Sequence, residues 1–173
     1  MARDILKTLK VEHDAVRALF DEMNQTTDRG RKSRENLLER IEAALIPHSK
    51  WEETVFYPAF KERADRDGLQ VHAEAVEEHR AVESTVMPDV HASPVDTPEF
   101  AGRAKVFGEM IEHHAKEEER NMFKMAREMF SAEELADLDV AYEEWKASPA
   151  AAAAVAGAEA KAGLKAAATK LMG

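Results

Sequence analysis

Apolar residues recur at the 3.6-residue period of an α-helix along almost the whole chain, and this restricts the fold to packed helices. Glycine and proline, the residues that break such a pattern, number only seven and six in 173 residues. The first stripe, from about Asp4 to Asn24, reads Ile5, Leu9, Val16, Phe20 and Met23. The second, from about Ser33 to Asp65, carries Leu37, Ile41, Leu45, Phe56 and Phe60. Its period continues through Pro47 and Pro58, which predicts kinks there rather than an end. The third runs from Leu69 to Met87, followed by a loop with Pro88, Pro94 and Pro98. The fourth, from Pro98 to Phe130, carries Phe107, Met110, Ile111, Met122, Met125 and Met129, with Thr97 as N-cap and Pro98 at the first helical position. Ser131 and Glu134 form a capping box for a short fifth helix. Beyond Pro149 the chain is alanine-rich, with Val155, Leu164 and Leu171 as its few larger apolar residues, and it either docks as a thin helix or frays.

The expectation is an all-α fold. Residues 1–130 form an up-down-up-down four-helix bundle, 131–146 a short appended helix and 147–173 an alanine-rich helix or tail. With 45% hydrophobic residues the chain can bury a core, and no run of 18 apolar residues offers a membrane span. The absence of cysteine excludes thiolate ligands, disulfides and thiol chemistry. A net charge of −10 argues against nucleic acid or an anionic membrane as partner, and without an apolar leader at the N-terminus the expected location is the cytoplasm.

Polar residues interrupt all four stripes. His13, His48, His79 and His114 each fall on the apolar face. HSKWEE, from His48, has a near-copy in HAKEEE, from His114, so that His48 pairs with Glu52 and His114 with Glu118 at i,i+4; His79 has Glu83 at the same spacing. Residues so spaced lie one above the other on a helix and can offer one ion an imidazole and a carboxylate. Taken singly, each motif reads as a core histidine or a surface pair in a chain that is 34% charged. Together they would bury several carboxylates in one layer of a bundle, which is costly unless cations compensate them. A dinuclear metal site does so. Phe56 and Met122, one turn beyond Glu52 and Glu118, would wall it. Of the other polar residues, Glu53 and Glu119 read as solvated charges, Trp51 and His113 as boundary residues, His72 as core or supporting, and His91 as a solvated loop residue.

The ordered set of His13, HSKWE at 48–52, His79 and HAKEE at 114–118 resembles the hemerythrin-like HHE cation-binding family, over roughly Asp4 to Phe130. The resemblance implies a non-haem di-iron site. His13 and His48 would serve one iron, His79 and His114 the other, and Glu52 and Glu118 would bridge them. It implies two iron ions per chain with an oxo, hydroxo or water bridge, zinc being able to substitute. The family's oxygen carriers place two histidines on the third helix with a spacer of three residues between them. Here the equivalent pairs are Ala75 with His79 or His79 with Glu83, so one iron position is open or Glu83 fills it. This departure shifts the expectation from reversible O2 carriage to reaction with O2, peroxide or nitric oxide, with peroxide decomposition in oxidative-stress protection as the activity. An iron reservoir or iron/oxygen sensor, and a metal-free helical interaction protein, are the alternatives.

Overall fold

The computed structural model describes residues 3–172, and all of its regular structure is helical. Helix α1 is Ile5–Asn24, opened by the Asp4 side chain, which accepts from the Leu6 amide. Helix α2 (31–63) runs as α-helix over Arg31–Trp51, as π-helix over Glu52–Phe56 and as α-helix again over Tyr57–Arg63. Helix α3 (66–92) has the same three-part form around a π-segment at Val82–Val86. Helix α4 (98–129) begins at the expected Thr97 cap and contains a π-segment at Glu118–Met122. The Ser131–Glu134 capping box opens α5, Ala132–Lys146, and α6 is Pro149–Met172.

Helix α2 continues through both of its prolines, as expected. Pro47 sits inside regular α-helix, while Pro58 and Pro88 each follow a π-segment by two residues. The i→i+5 widening relieves the clash between a proline ring and the carbonyl four residues back. Helix α3 therefore continues through Pro88 to Ala92 instead of ending at Met87.

The core is divided in two along the bundle axis. Val16, Phe20, Ile41, Ile46, Phe107 and Ile111 belong to one apolar cluster. Leu9, Trp51, Phe56, Phe60, Ala75 and Met122 belong to the other. Along α1 the chain passes from Leu9 through His13 to Val16, and along α2 from Ile46 through His48 to Trp51, in the opposite sense; α3 and α4 repeat this alternation. The four histidines thus form one polar layer between two apolar ones, in the up-down-up-down order expected. Trp51, placed at the boundary by its sequence, is wholly buried. Helix α5 packs on α1 and α2, and α6 on α2 and the end of α3, where Ala151 and Ala158 are buried and Val155 half-buried. Leu164 is exposed, and the side chain of Leu171 lies outside the described residues.

Candidate metal centre

Two groups of ligand atoms meet in the polar layer. His13, His48, Glu52 and Glu118 form one; His79 and His114 form the other with Glu52, which belongs to both. The Nε2 atoms of His13 and His48 lie 3.1 Å apart, and those of His79 and His114 3.0 Å. Glu52 extends Oε1 to 3.1 Å from His48 Nε2 and Oε2 to 3.6 Å from His79 Nε2. Glu118 Oε2 stands 3.4 Å from His13 Nε2 and 3.6 Å from His114 Nε2. Each glutamate therefore reaches a histidine of both pairs.

The outward nitrogens are fixed as well. His13 Nδ1 meets Glu119 at 3.1 Å, His48 Nδ1 meets Glu12 at 2.9 Å, His79 Nδ1 meets Glu53 at 3.1 Å and His114 Nδ1 meets Glu78 at 2.7 Å. A carboxylate behind Nδ1 holds the proton there and aims the Nε2 lone pair inward, the arrangement found behind metal-ligating histidines. Glu53 and Glu119 are thus not solvated charges: the first residue of each Glu-Glu pair turns into the layer, and the second grips a histidine of another helix.

The same pattern appears twice along the chain, at an offset of 66 residues (12 to 78, 13 to 79, 48 to 114, 52 to 118, 53 to 119). Two π-segments, 52–56 and 118–122, obey it too. The Glu-His dipeptides at 12–13 and 78–79 were the overlooked sequence signal. The halves differ at one prominent position. Tyr57 donates its hydroxyl to Glu118 Oε1 at 2.7 Å and lies 3.2 Å from His79 Nε2, whereas its counterpart Phe123 only stacks on His13. Glu118 Oε2 and both oxygens of Glu52 accordingly accept no hydrogen bond, although Glu52 is wholly buried and Glu118 nearly so.

Electrostatics reflects that crowding. Burial pulls the His48 pKa down, but Glu52 and Glu12 outweigh it and raise the value to about 10. Burial raises the Glu12 carboxyl, and His48, Lys146 and Tyr142 together bring it down to about 2. Burial likewise raises the Glu118 carboxyl, but His114, His13 and His79 outweigh it and hold Glu118 below the usual carboxylate range. Burial, then Glu118 and Glu52, keep the Tyr57 phenol protonated well past its ordinary value. Converging imidazole Nε2 atoms, where a cation would replace the proton that the carboxylates favour on His48, and unpaired buried carboxylate oxygens suit divalent cations held by nitrogen and oxygen, and the chain's donor set fits iron or zinc.

Glu83 does not join these groups. Its carboxylate is held by Lys50 at 2.7 Å and Lys161 at 2.9 Å, on the rim of an apolar cavity of about 260 Å³. That cavity lies between the histidines and a wall that includes Ile46, Val82, Met87, Met110 and Ile111. His72 packs edge-on against Tyr57, His113 is exposed, and His91 sits on α3 paired at 2.6 Å with the buried Glu42 instead of lying solvated in a loop.

The family described as hemerythrin HHE cation binding domain matches residues 4–126, well over half of the chain. A crystal structure of a hemerythrin HHE cation binding domain-containing protein from Mycobacterium kansasii superposes with a TM-score of 0.71 at 22% identity, covering 90% of this chain and 98% of that one, a likeness of fold. A DNA nickase of Nostoc sp. strain PCC 7120 is 25% identical over 132 residues, and the matched region spans 76% of this chain but only 36% of the relative.

Proposed function

Because the chain belongs to the hemerythrin HHE cation-binding domain family, we propose that it is a non-haem di-iron protein that reacts with O2, peroxide or nitric oxide. The observation carrying this reading is that Glu52 belongs to both ligand groups and leaves both its buried oxygens without a hydrogen bond. His13 and His48 would hold one iron, His79 and His114 the other, with Glu52 and Glu118 between them. When bound, two irons supply the pair of electrons that O2 or peroxide takes up. The chain's own part is to aim the imidazoles through Glu12, Glu53, Glu78 and Glu119, and to keep a protonated phenol, Tyr57, beside Glu118. The cavity, of about 260 Å³, suits a small ligand better than a bulky organic substrate. With Glu83 tied to two lysines, the third helix offers a single histidine, which favours peroxide decomposition over reversible carriage of O2.

No described helix is long and apolar enough to cross a membrane, and a cytoplasmic location is part of this proposal. The nickase relative is mostly sequence that this chain does not match, and a net charge of −10 opposes a polyanionic substrate, so nicking is not carried over. Metal analysis of protein produced with iron tests the centre: two irons per chain are expected, and a content below one that His48→Ala leaves unchanged rejects it. Oxygen evolution from peroxide, abolished in His114→Ala, identifies the activity; a stable, reversible oxygenated spectrum after anaerobic reduction would establish carriage instead. A reservoir or sensor would show neither, and a sensor would lose helicity on chelation.

A further inference from the structure

The ligands of the centre repeat at the 66-residue offset, but the helix seams beside them do not. The offset carries α1 onto α3 and α2 onto α4, so the seam between α4 and α1 corresponds to that between α2 and α3. The first seam is closed. Phe20 lies against Gly108, and Arg17 crosses from α1 to Glu112 and, at 2.9 Å, to Glu119 on α4. In the second, Glu42 takes the place of Gly108, Val86 that of Phe20 and Glu83 that of Arg17. Long side chains bridge it, His91 to Glu42 at 2.6 Å and Lys50 to Glu83 at 2.7 Å, and α6 packs against both helices. The space that remains is the cavity of about 260 Å³, which Ala158 of α6 helps to line and which reaches all four histidines of the polar layer. The centre does not demand such a cavity, since its other half is built from the same residues beside a closed seam.

The chemistry of the cavity follows from what internal pairing leaves over. Ile46, Val82, Met87 and Ile111 are buried in the apolar cluster, Leu45 and Met110 pack on it, and all six line the cavity. The polar side chains around them are engaged. Ser49 donates to the Ile46 carbonyl at 3.2 Å, Lys50 and Lys161 hold Glu83, Lys105 holds Glu109 at 2.8 Å, and Glu78 faces both His113 and His114. A charged ligand would have to break one of these pairs, whereas an apolar one displaces only water from aliphatic walls. A cavity of about 150 Å³ with such walls takes up benzene, which scales to about ten non-hydrogen atoms in this larger one. O2, peroxide or nitric oxide would fill a small part of it and leave wall atoms without contacts. Val106, half exposed on α4, also lines the cavity, so it communicates with solvent there.

We propose that this cavity binds a small apolar organic molecule, aromatic or branched aliphatic, with one end against the histidine layer. The inference rests on the reading of that layer as a metal centre, and it adds an organic ligand to the small oxidants proposed above.

The test is calorimetric titration of the full-length protein with naphthalene, in the Co2+-loaded and the metal-free forms. One molecule per chain is expected in both, with a negative heat-capacity change, and its arrival should alter the cobalt absorption of the loaded form. Met110→Trp and Ala158→Phe put bulk into the cavity and should each weaken binding about tenfold or more, with cobalt content unchanged. Ala44→Trp, at the exposed counterpart of Met110 in the other half, should leave the affinity as it is. Absence of saturable binding, affinity that both filling variants retain, or a cobalt spectrum indifferent to naphthalene overturns the proposal. Failure of the centre itself would look different: no cobalt would be taken up, while the metal-free protein would still bind naphthalene.

Discussion

Replacing Glu12 by glutamine tests whether the outward carboxylates work on the metal or only on the fold. Glu12 accepts from three groups: His48 Nδ1 at 2.9 Å, the Tyr142 hydroxyl at 2.5 Å and Lys146 Nζ at 2.8 Å. Glutamine keeps the shape but loses the charge and one acceptor oxygen, so the charge-assisted bond to His48 becomes an ordinary one or is lost. Removal of such a partner behind a metal-bound histidine typically costs 10- to 100-fold in metal affinity, about 1.4 to 2.8 kcal/mol. The loss should appear in Kd for Co2+ or Zn2+ by chelator competition, with two ions still bound at saturation. The fold should suffer much less, because Lys146 retains Glu143 at 2.7 Å and Tyr142 stays buried against Trp51. Glu143→Gln, which removes the other partner of Lys146, serves as the control and should leave affinity unchanged. If Glu12→Gln binds metal as tightly as wild type, or if both variants weaken binding equally, the orienting role assigned to Glu12 is wrong.

Further outcomes follow from other parts of the molecule. Metal at a hundred times its Kd should stabilise the protein by about 2.7 kcal/mol per site, roughly 5–11 °C in Tm for a chain of this size; calorimetry showing no shift would contradict a preformed centre. Gly108→Ala would place a Cβ 2.9 Å from Cδ1 and 3.0 Å from Cγ of Phe20, where α1 and α4 approach closely. An overpacking cost of about 1–3 kcal/mol exceeds the gain of about 1 kcal/mol from helix propensity, so Tm should fall by a few degrees, and an unchanged or raised Tm would refute the close fit. His91 has its pKa raised by the hydrogen bond to Glu42, against the pull of burial. A raised folded-state value means that the pair stabilises fully below about pH 6.5, the ordinary histidine value, and less as pH rises through the folded one. The Tm difference between wild type and His91→Gln should therefore shrink from pH 6 to pH 9, and a difference that grows would reverse the assignment.

The periodicity of the chain determined the helices, their order and the layer in which the histidines meet, because burial of an apolar stripe fixes which face of each helix turns inward. The i,i+4 spacing of His48 with Glu52 and of His114 with Glu118 was readable for the same local reason. Spacing also suggested His79 with Glu83, and here tertiary structure decided otherwise: Lys50 on α2 and Lys161 on α6 take that carboxylate, and neither is near it in sequence. The partners of the outward nitrogens were hidden in the same way, since Glu12 and His48 belong to different helices 36 residues apart and His13 and Glu119 to helices 106 apart. The π-segments were invisible too, because widening a helix by one residue per turn depends on what its face must meet across the bundle. A helix face is a property of a local stretch of chain, but the charge that balances a buried side chain comes from whichever helix packs beside it, and only the folded molecule selects that neighbour.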